Sequence, residues 1–111
     1  MQPGPGDPHR DARAACARDL ASFGLELLPI PAPGAVLDAA GAPMPASYLN
    51  FIVGNGAVVV PVYGTHNDDR ALAGIAAAFP GRDVVGVNAR GLLGGGGAFH
   101  CITKEQPAWP V

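Results

Sequence analysis

Cys101 is the side chain here whose type and surroundings point most directly to chemistry. It stands four residues beyond a run of four glycines, Gly94, Gly95, Gly96 and Gly97, and is followed by Ile102 and Thr103. A cysteine thiolate is a nucleophile and a metal ligand, whereas an unreactive free cysteine serves as a small buried hydrophobe; composition alone leaves both readings open. A nucleophile needs a base within reach. His100 is adjacent, but neighbours in an extended segment point to opposite faces, so His100 is expected to be a poor base for Cys101. The same alternation puts Lys104 on the far face, so nothing nearby is expected to activate the thiol, and alkylation should follow a near-reference pKa of about 8.5.

Other candidates carry plainer readings. The glycine run permits positive φ and close backbone approach, which suits a tight turn beside a site. It is no phosphate loop, because no Lys-Ser/Thr pair comes after it and the next residues read as a strand. Cys16 and Cys101 are the only cysteines. Far apart in a chain without a signal pattern, they are expected to stay unpaired. There is no CxxC and no HxxxH, so nothing has metal-ligand spacing, and neither metal nor cofactor is expected. His9 and His66 fall in surface loops. Asn50 begins a strand and reads as a residue that satisfies loop backbone groups. Asp68 and Asp69 read as helix-capping acids, and Trp109 as a residue packed on a neighbouring surface.

The elements that must position Cys101 emerge from periodicity and punctuation. Asp7-Pro8 opens a helix over residues 8–22 whose stripe of Ala12, Cys16, Leu20 and Phe23 is expected to be buried. Residues 25–30 form a short apolar run suited to a strand. Residues 31–46, with Gly34, Gly41 and four prolines, form a long loop. Apolar runs at 50–53 and 57–60 flank Gly54-Asn55-Gly56, a hairpin signal that rests on positive φ. The non-alternating run Ala57-Val58-Val59-Val60 suits a strand covered on both faces. A helix comes next, capped by Thr65 or Asn67, with a stripe of Leu72, Ile75, Ala76 and Phe79, stopped by Pro80-Gly81. Residues 83–87 form another covered strand and 88–93 a short helical turn. Ile102 and Thr103 begin a last strand, and the tail from Pro107 is loop. The class is α/β.

Composition bounds the rest. The chain has 111 residues, 49% apolar and 14% charged, with 16 Gly, 12 Pro and a net charge of −2. That is a globular composition. Lys104 is the only lysine and the arginines are scattered, which argues against nucleic acid or an anionic membrane as partner. No apolar run reaches the length of a span, and the start MQPGPGDPHR has no signal pattern, so a cytoplasmic location is expected. Residues 1–7 read as a disordered or truncated start.

One resemblance sharpens this. The segment Gly95-Gly96-Gly97-Ala98-Phe99-His100-Cys101-Ile102-Thr103 resembles the C-terminal nucleophile segment of agmatine deiminases, which share a guanidino-group hydrolase superfamily with bacterial-type peptidylarginine deiminases. The stretches Ala46-Ser47-Tyr48-Leu49-Asn50-Phe51, Gly54-Asn55-Gly56-Ala57-Val58-Val59-Val60-Pro61 and Phe79-Pro80-Gly81-Arg82-Asp83-Val84-Val85-Gly86-Val87 resemble the same family in the same order. The similarity runs from about Asp7 to Ala108. It implies a partial pentein α/β-propeller, about one ββαβ-type unit plus a preceding helix-strand, with residues 8–111 as the C-terminal part of the domain. It also implies Cys101 as the catalytic nucleophile, Gly95, Gly96 and Gly97 as a substrate-binding or active-site loop, and a small guanidine such as agmatine as substrate. The family's histidine and carboxylates match no residue here, so the remainder of the propeller, as a missing segment or a second chain, is an implied partner, and a homo-oligomer is possible. Peptidylarginine or another guanidine is the alternative substrate, and a non-catalytic remnant or subunit of a split enzyme is a third reading. Relatives often carry Asn where this chain has Ala98.

Overall fold

The computed structural model describes residues 1–109; residues 110 and 111 of the expected loop tail lie outside them. The elements run α1 (Arg10–Ala21), β1 (Ile52–Val53), β2 (Ala57–Val62), α2 (Asp68–Ala78) and β3 (Asp83–Asn88), then 3-10 turns at Arg90–Gly95 and His100–Ile102. The three strands form one sheet in the order β1-β2-β3. β1 pairs antiparallel with β2 (Ile52 with Val59, Val53 with Val58). β2 pairs parallel with β3 from Ala57–Asp83 to Val62–Asn88, with α2 as the crossover. The chain is thus a small α/β unit with the expected ββαβ order.

The hairpin closes with Gly54 N–H donating to Ala57 C=O at 2.7 Å. Contrary to the Asn-Gly expectation, neither Asn55 nor Gly56 has positive φ. Arg82 Nε instead holds the turn from outside, donating to Gly54 C=O at 3.1 Å. In α2, Ala71 and Ile75 are the buried positions, whereas Ala76, assigned to the stripe, is exposed. Val58, Val60, Tyr48, Tyr63, Ile30 and Val36 complete the core against that face.

Several expectations fail for physical reasons. Residues 25–30 make no strand; the nearest ladder-like contact is the bridge from Pro31 to Gln2. That bridge also gives the expected disordered start a partner: Ala32 N–H donates to Gln2 C=O at 2.9 Å, and buried Asp7 pairs with Arg13 at 2.9 Å. α1 has no buried residue. Its Ala12, Cys16 and Leu20 line an open groove of about 740 Å³ with Leu27 and Leu28, and Phe23 is 74% exposed; the amphipathic pattern is real but has no covering layer here. β3 is not covered on both faces either, because it is an edge strand packed by α2 alone, leaving Val85 and Val87 exposed. No strand begins at Ile102, since His100–Ile102 is a 3-10 turn. Trp109, expected to pack, is 89% exposed. Among the described residues, no helix is long and apolar enough to cross a membrane.

Candidate active site

The loop before β1 is the first half of the site, and it is pinned from below. Asp68, the first residue of α2, accepts the hydroxyl of Tyr48 at 2.6 Å, the N–H of Gly64 at 2.7 Å and the hydroxyl of Thr65 at 3.1 Å. Burial pushes the Asp68 carboxyl up, but hydrogen bonds from Tyr48, Gly64, Tyr63 and Thr65 outweigh it and hold it below its ordinary value. The expected capping role of Asp68 is corrected: among the described residues its hydrogen bonds all run backward to Tyr48 and residues 63–65 and none goes to an α2 backbone N–H, so it serves the helix only by its negative charge in the first turn. Asn67 does not cap with its side chain; its amide donates to Ala32 C=O at 2.8 Å, tying α2 to the long loop. The Tyr63 hydroxyl donates to Ser47 C=O at 3.0 Å and accepts Ser47 N–H at 3.1 Å. Buried tyrosines keep a polar partner in this way, and here the partners fix residues 47–50.

The second half is the glycine segment. Buried Ala89, Leu93 and Ala98 anchor it from the core side. Burial of a side chain as large as that of Leu93 contributes about 1.5–3 kcal/mol. Between these anchors the 3-10 turn ends at Gly95, and Gly96 takes φ 90°, its N–H closing on Leu93 C=O at 2.9 Å. Only glycine adopts that conformation cheaply. Gly97 is buried behind Cys101, whereas Gly95 and Gly96 are exposed.

The two halves meet at Asn50 and Cys101. Asn50 Nδ2 donates to Cys101 Sγ at 3.0 Å. Asn50 Oδ1 accepts Cys101 N–H at 3.3 Å, and Asn50 C=O accepts His100 N–H at 3.2 Å. The thiol is exposed, so it is neither the buried hydrophobe of the plain reading nor unmodified by its surroundings. The Asn50 hydrogen bond, then one from the Ala98 backbone, draws its pKa below the ordinary thiol value against a small opposing effect of burial. The expectation that nothing near Cys101 activates it is corrected: the cause is an amide from 51 residues earlier in the chain, not a cation.

Sequence reasoning assigns Asn50 to loop-backbone satisfaction alone and misses this contact. The available signal is its place in the segment Ala46 to Phe51, which shares the family pattern with the cysteine segment. His100 makes no hydrogen bond to Cys101 Sγ among the described residues. The extended-strand reason for excluding it as a base does not apply on a 3-10 turn, where successive residues are about 120° apart. His9 and His66 are exposed, as expected. Among the described residues no group of three or more His, Cys, Asp or Glu side chains is placed to hold a metal ion.

Known proteins are similar to this chain in sequence and fold over part of their length. The model of the Porphyromonas-type peptidyl-arginine deiminase family matches residues 3–107. A Lactococcus lactis protein named "Putative agmatine deiminase" is 50% identical over 62 residues, 56% of this chain and 17% of that protein. Among solved structures, the agmatine deiminase of Enterococcus faecalis superposes with TM-score 0.82 and 28% identity, over 94% of this chain and 34% of that one. A Cys-to-Ser variant of C. jejuni agmatine deiminase with substrate bound gives TM-score 0.81 and 28% identity, over 89% of this chain and 30% of that one. The chain thus spans about a third of the solved relatives' length, and its match to the L. lactis protein spans 17%. With nearly its whole length inside the family match, and its cysteine segment folded against Asn50, the chain belongs to the Porphyromonas-type peptidyl-arginine deiminase family.

Proposed function

We propose that the chain is the C-terminal portion of an agmatine deiminase, with Cys101 as its nucleophile and the fold as part of a pentein propeller. The observation that carries this reading is the exposed, amide-bonded Cys101 at the end of a family match covering residues 3–107. The agmatine deiminase relatives favour agmatine over peptidylarginine, the second substrate, which the family's own description supports.

The chemistry suits a thiolate. A guanidinium is planar, cationic and does not lose its proton near neutral pH, so it must be held by carboxylates in a bidentate fork. The Cys101 thiolate forms a C–S bond to the central carbon. One nitrogen takes a proton from a general acid and leaves as ammonia, giving a cationic thiouronium. Water then adds to that carbon and gives one proton to the base. As the C–S bond breaks, the remaining hydroxyl becomes the urea carbonyl and its proton is taken up by the departed ammonia as ammonium. N-carbamoylputrescine is released and the thiolate restored. No atom changes oxidation state overall. The carboxylates and histidine that the reaction needs are supplied by the remaining propeller.

The test is to join the chain to a family segment supplying the missing residues and measure ammonia release from agmatine and from a peptidylarginine. Agmatine turnover that Cys101→Ala abolishes, with a Cys101 adduct trapped in mass spectra, is the expected result. Turnover that survives Cys101→Ala overturns the assignment.

A further inference from the structure

We infer that Asn50 is the positioning residue for Cys101, holding its sulfur and its backbone N–H with one amide while the Gly97 backbone buttresses the sulfur from behind. The catalytic meaning rests on the proposed role of Cys101; the geometry does not. Asn50 Nδ2 lies 3.0 Å from Sγ, and Oδ1 lies 3.3 Å from Cys101 N. A Cβ placed on Gly97 would stand 2.5 Å from Sγ and 2.7 Å from Cys101 Cβ, and 3.7 Å from Asn50 Nδ2. The sulfur therefore sits in a slot with an amide donor on one side and bare backbone on the other.

Chemistry fixes the amide's orientation. Turned over, Asn50 would set its NH2 against the Cys101 N–H, donor against donor, and leave its carbonyl facing the sulfur. Only the observed orientation satisfies both contacts. A donor aimed at sulfur bonds the thiolate more strongly than the thiol, because charge-assisted hydrogen bonds are about twice as strong as neutral ones. The contact thus does two things: it selects one Cys101 rotamer and it favours the charged form.

The support under Asn50 makes it rigid enough to act this way. Its N–H donates to Ser47 C=O at 3.2 Å, and Ser47 is held on both backbone groups by Tyr63. Phe51, the next residue, stacks edge-on against Phe79 with centroids 5.5 Å apart. An amide carried on an anchored loop positions more accurately than one on a free loop.

The inference is tested on the 111-residue chain by following iodoacetamide labelling of Cys101 against pH by mass spectrometry, with circular dichroism as the report on fold. The midpoint is read rather than the rate alone, because a thiolate of lower pKa is also intrinsically less nucleophilic. In the unmutated chain the Cys101 midpoint should lie below its value in urea, where the slot is gone. Asn50→Ala should raise the midpoint and cut the thiolate fraction at pH 7 about threefold to tenfold, the loss of one hydrogen bond to the charged form. Asn50→Asp keeps the acceptor for Cys101 N–H but puts a negative charge at the sulfur, so it should raise the midpoint further. A native midpoint equal to that in urea overturns the inference without any variant. So does an unmoved midpoint in a folded Asn50→Asp chain. Neither result depends on turnover, so failure of this inference is distinct from failure of the proposed activity.

Discussion

Gly97 and Cys101 are in contact so close that no side chain fits between them: a Cβ on Gly97 would stand 2.5 Å from Cys101 Sγ. Rotating Sγ away would not relieve the clash, because the added Cβ would also stand 2.7 Å from Cys101 Cβ, so relief requires moving Cys101 as a whole. Gly97→Ala should displace Sγ and break its bond to Asn50. In the completed enzyme, kcat should fall about 100-fold, as an error near 1 Å in a reacting group can cost. Gly94, which has open space around it, provides the control: Gly94→Ala should leave the Cys101 labelling midpoint in place while Gly97→Ala raises it. Equal midpoints in both variants would show that the contact is incidental.

Asp68 should be the polar side chain the fold tolerates losing least. It accepts two hydroxyls and the backbone N–H of Gly64 at distances between 2.6 and 3.1 Å. Asp68→Ala strands those donors, which should cost about 2–3 kcal/mol and lower Tm by roughly 10–20 °C. Thermal unfolding followed by circular dichroism measures it.

The same residue should shape the acid limb of stability. Its folded pKa lies below the ordinary carboxyl value, so its contribution is fully present above the unfolded value of about 3.9 and is lost as pH falls through the folded value. Urea midpoints measured from about pH 6 down to about pH 2 should fall more steeply for the unmutated chain than for Asp68→Asn. Parallel curves would assign the acid limb to other groups.

The ββαβ order is legible in the chain because β2 and β3 are short runs rich in valine, α2 between them carries a helical period, and Pro80-Gly81 marks a clear stop. Cys101 and the glycine run stand out by type and spacing. The partnership of Asn50 with Cys101 joins residues 51 positions apart, and no local pattern encodes such a contact; only their shared membership in an ordered set of family segments hints at it. The 3-10 turn at His100–Ile102 imitates a strand in sequence because Ile102 and Thr103 are β-branched. The turn forms instead because Thr103 Oγ1 donates back to Phe99 C=O at 2.8 Å and Asn50 takes the His100 N–H. The α1 stripe is apolar as its spacing implies yet not buried, since periodicity reports a face and not what covers it.

That distinction predicts the behaviour of the second cysteine. Cys16 is exposed and unpaired on α1, in the groove beside Leu20 and Arg13. It should be alkylated in the folded 111-residue chain without denaturant, and non-reducing mass spectra should show no link to Cys101. A Cys16 that reacts only after unfolding would mean that the groove is closed in solution.

The isolated chain should not hydrolyse agmatine, even though the thiol of Cys101, its proposed nucleophile, is drawn toward the charged form by Asn50. Asn50 favours the thiolate, but attack on a guanidinium also requires carboxylates to hold the cation and a proton donor for the leaving ammonia. Among the described residues, no carboxylate hydrogen-bonds to Cys101 or Asn50 and no imidazole hydrogen-bonds to the sulfur. Groups that act as a unit fail together: with the others missing, a nucleophile alone contributes little. Ammonia release from agmatine by the purified chain should therefore match that of its Cys101→Ala variant and of buffer. Labelling of Cys101 in the same preparation should still show the lowered midpoint, separating a prepared thiol from a working site. Turnover above the Cys101→Ala background would mean that the chain, alone or as several copies, supplies the missing acid and carboxylates from its own residues.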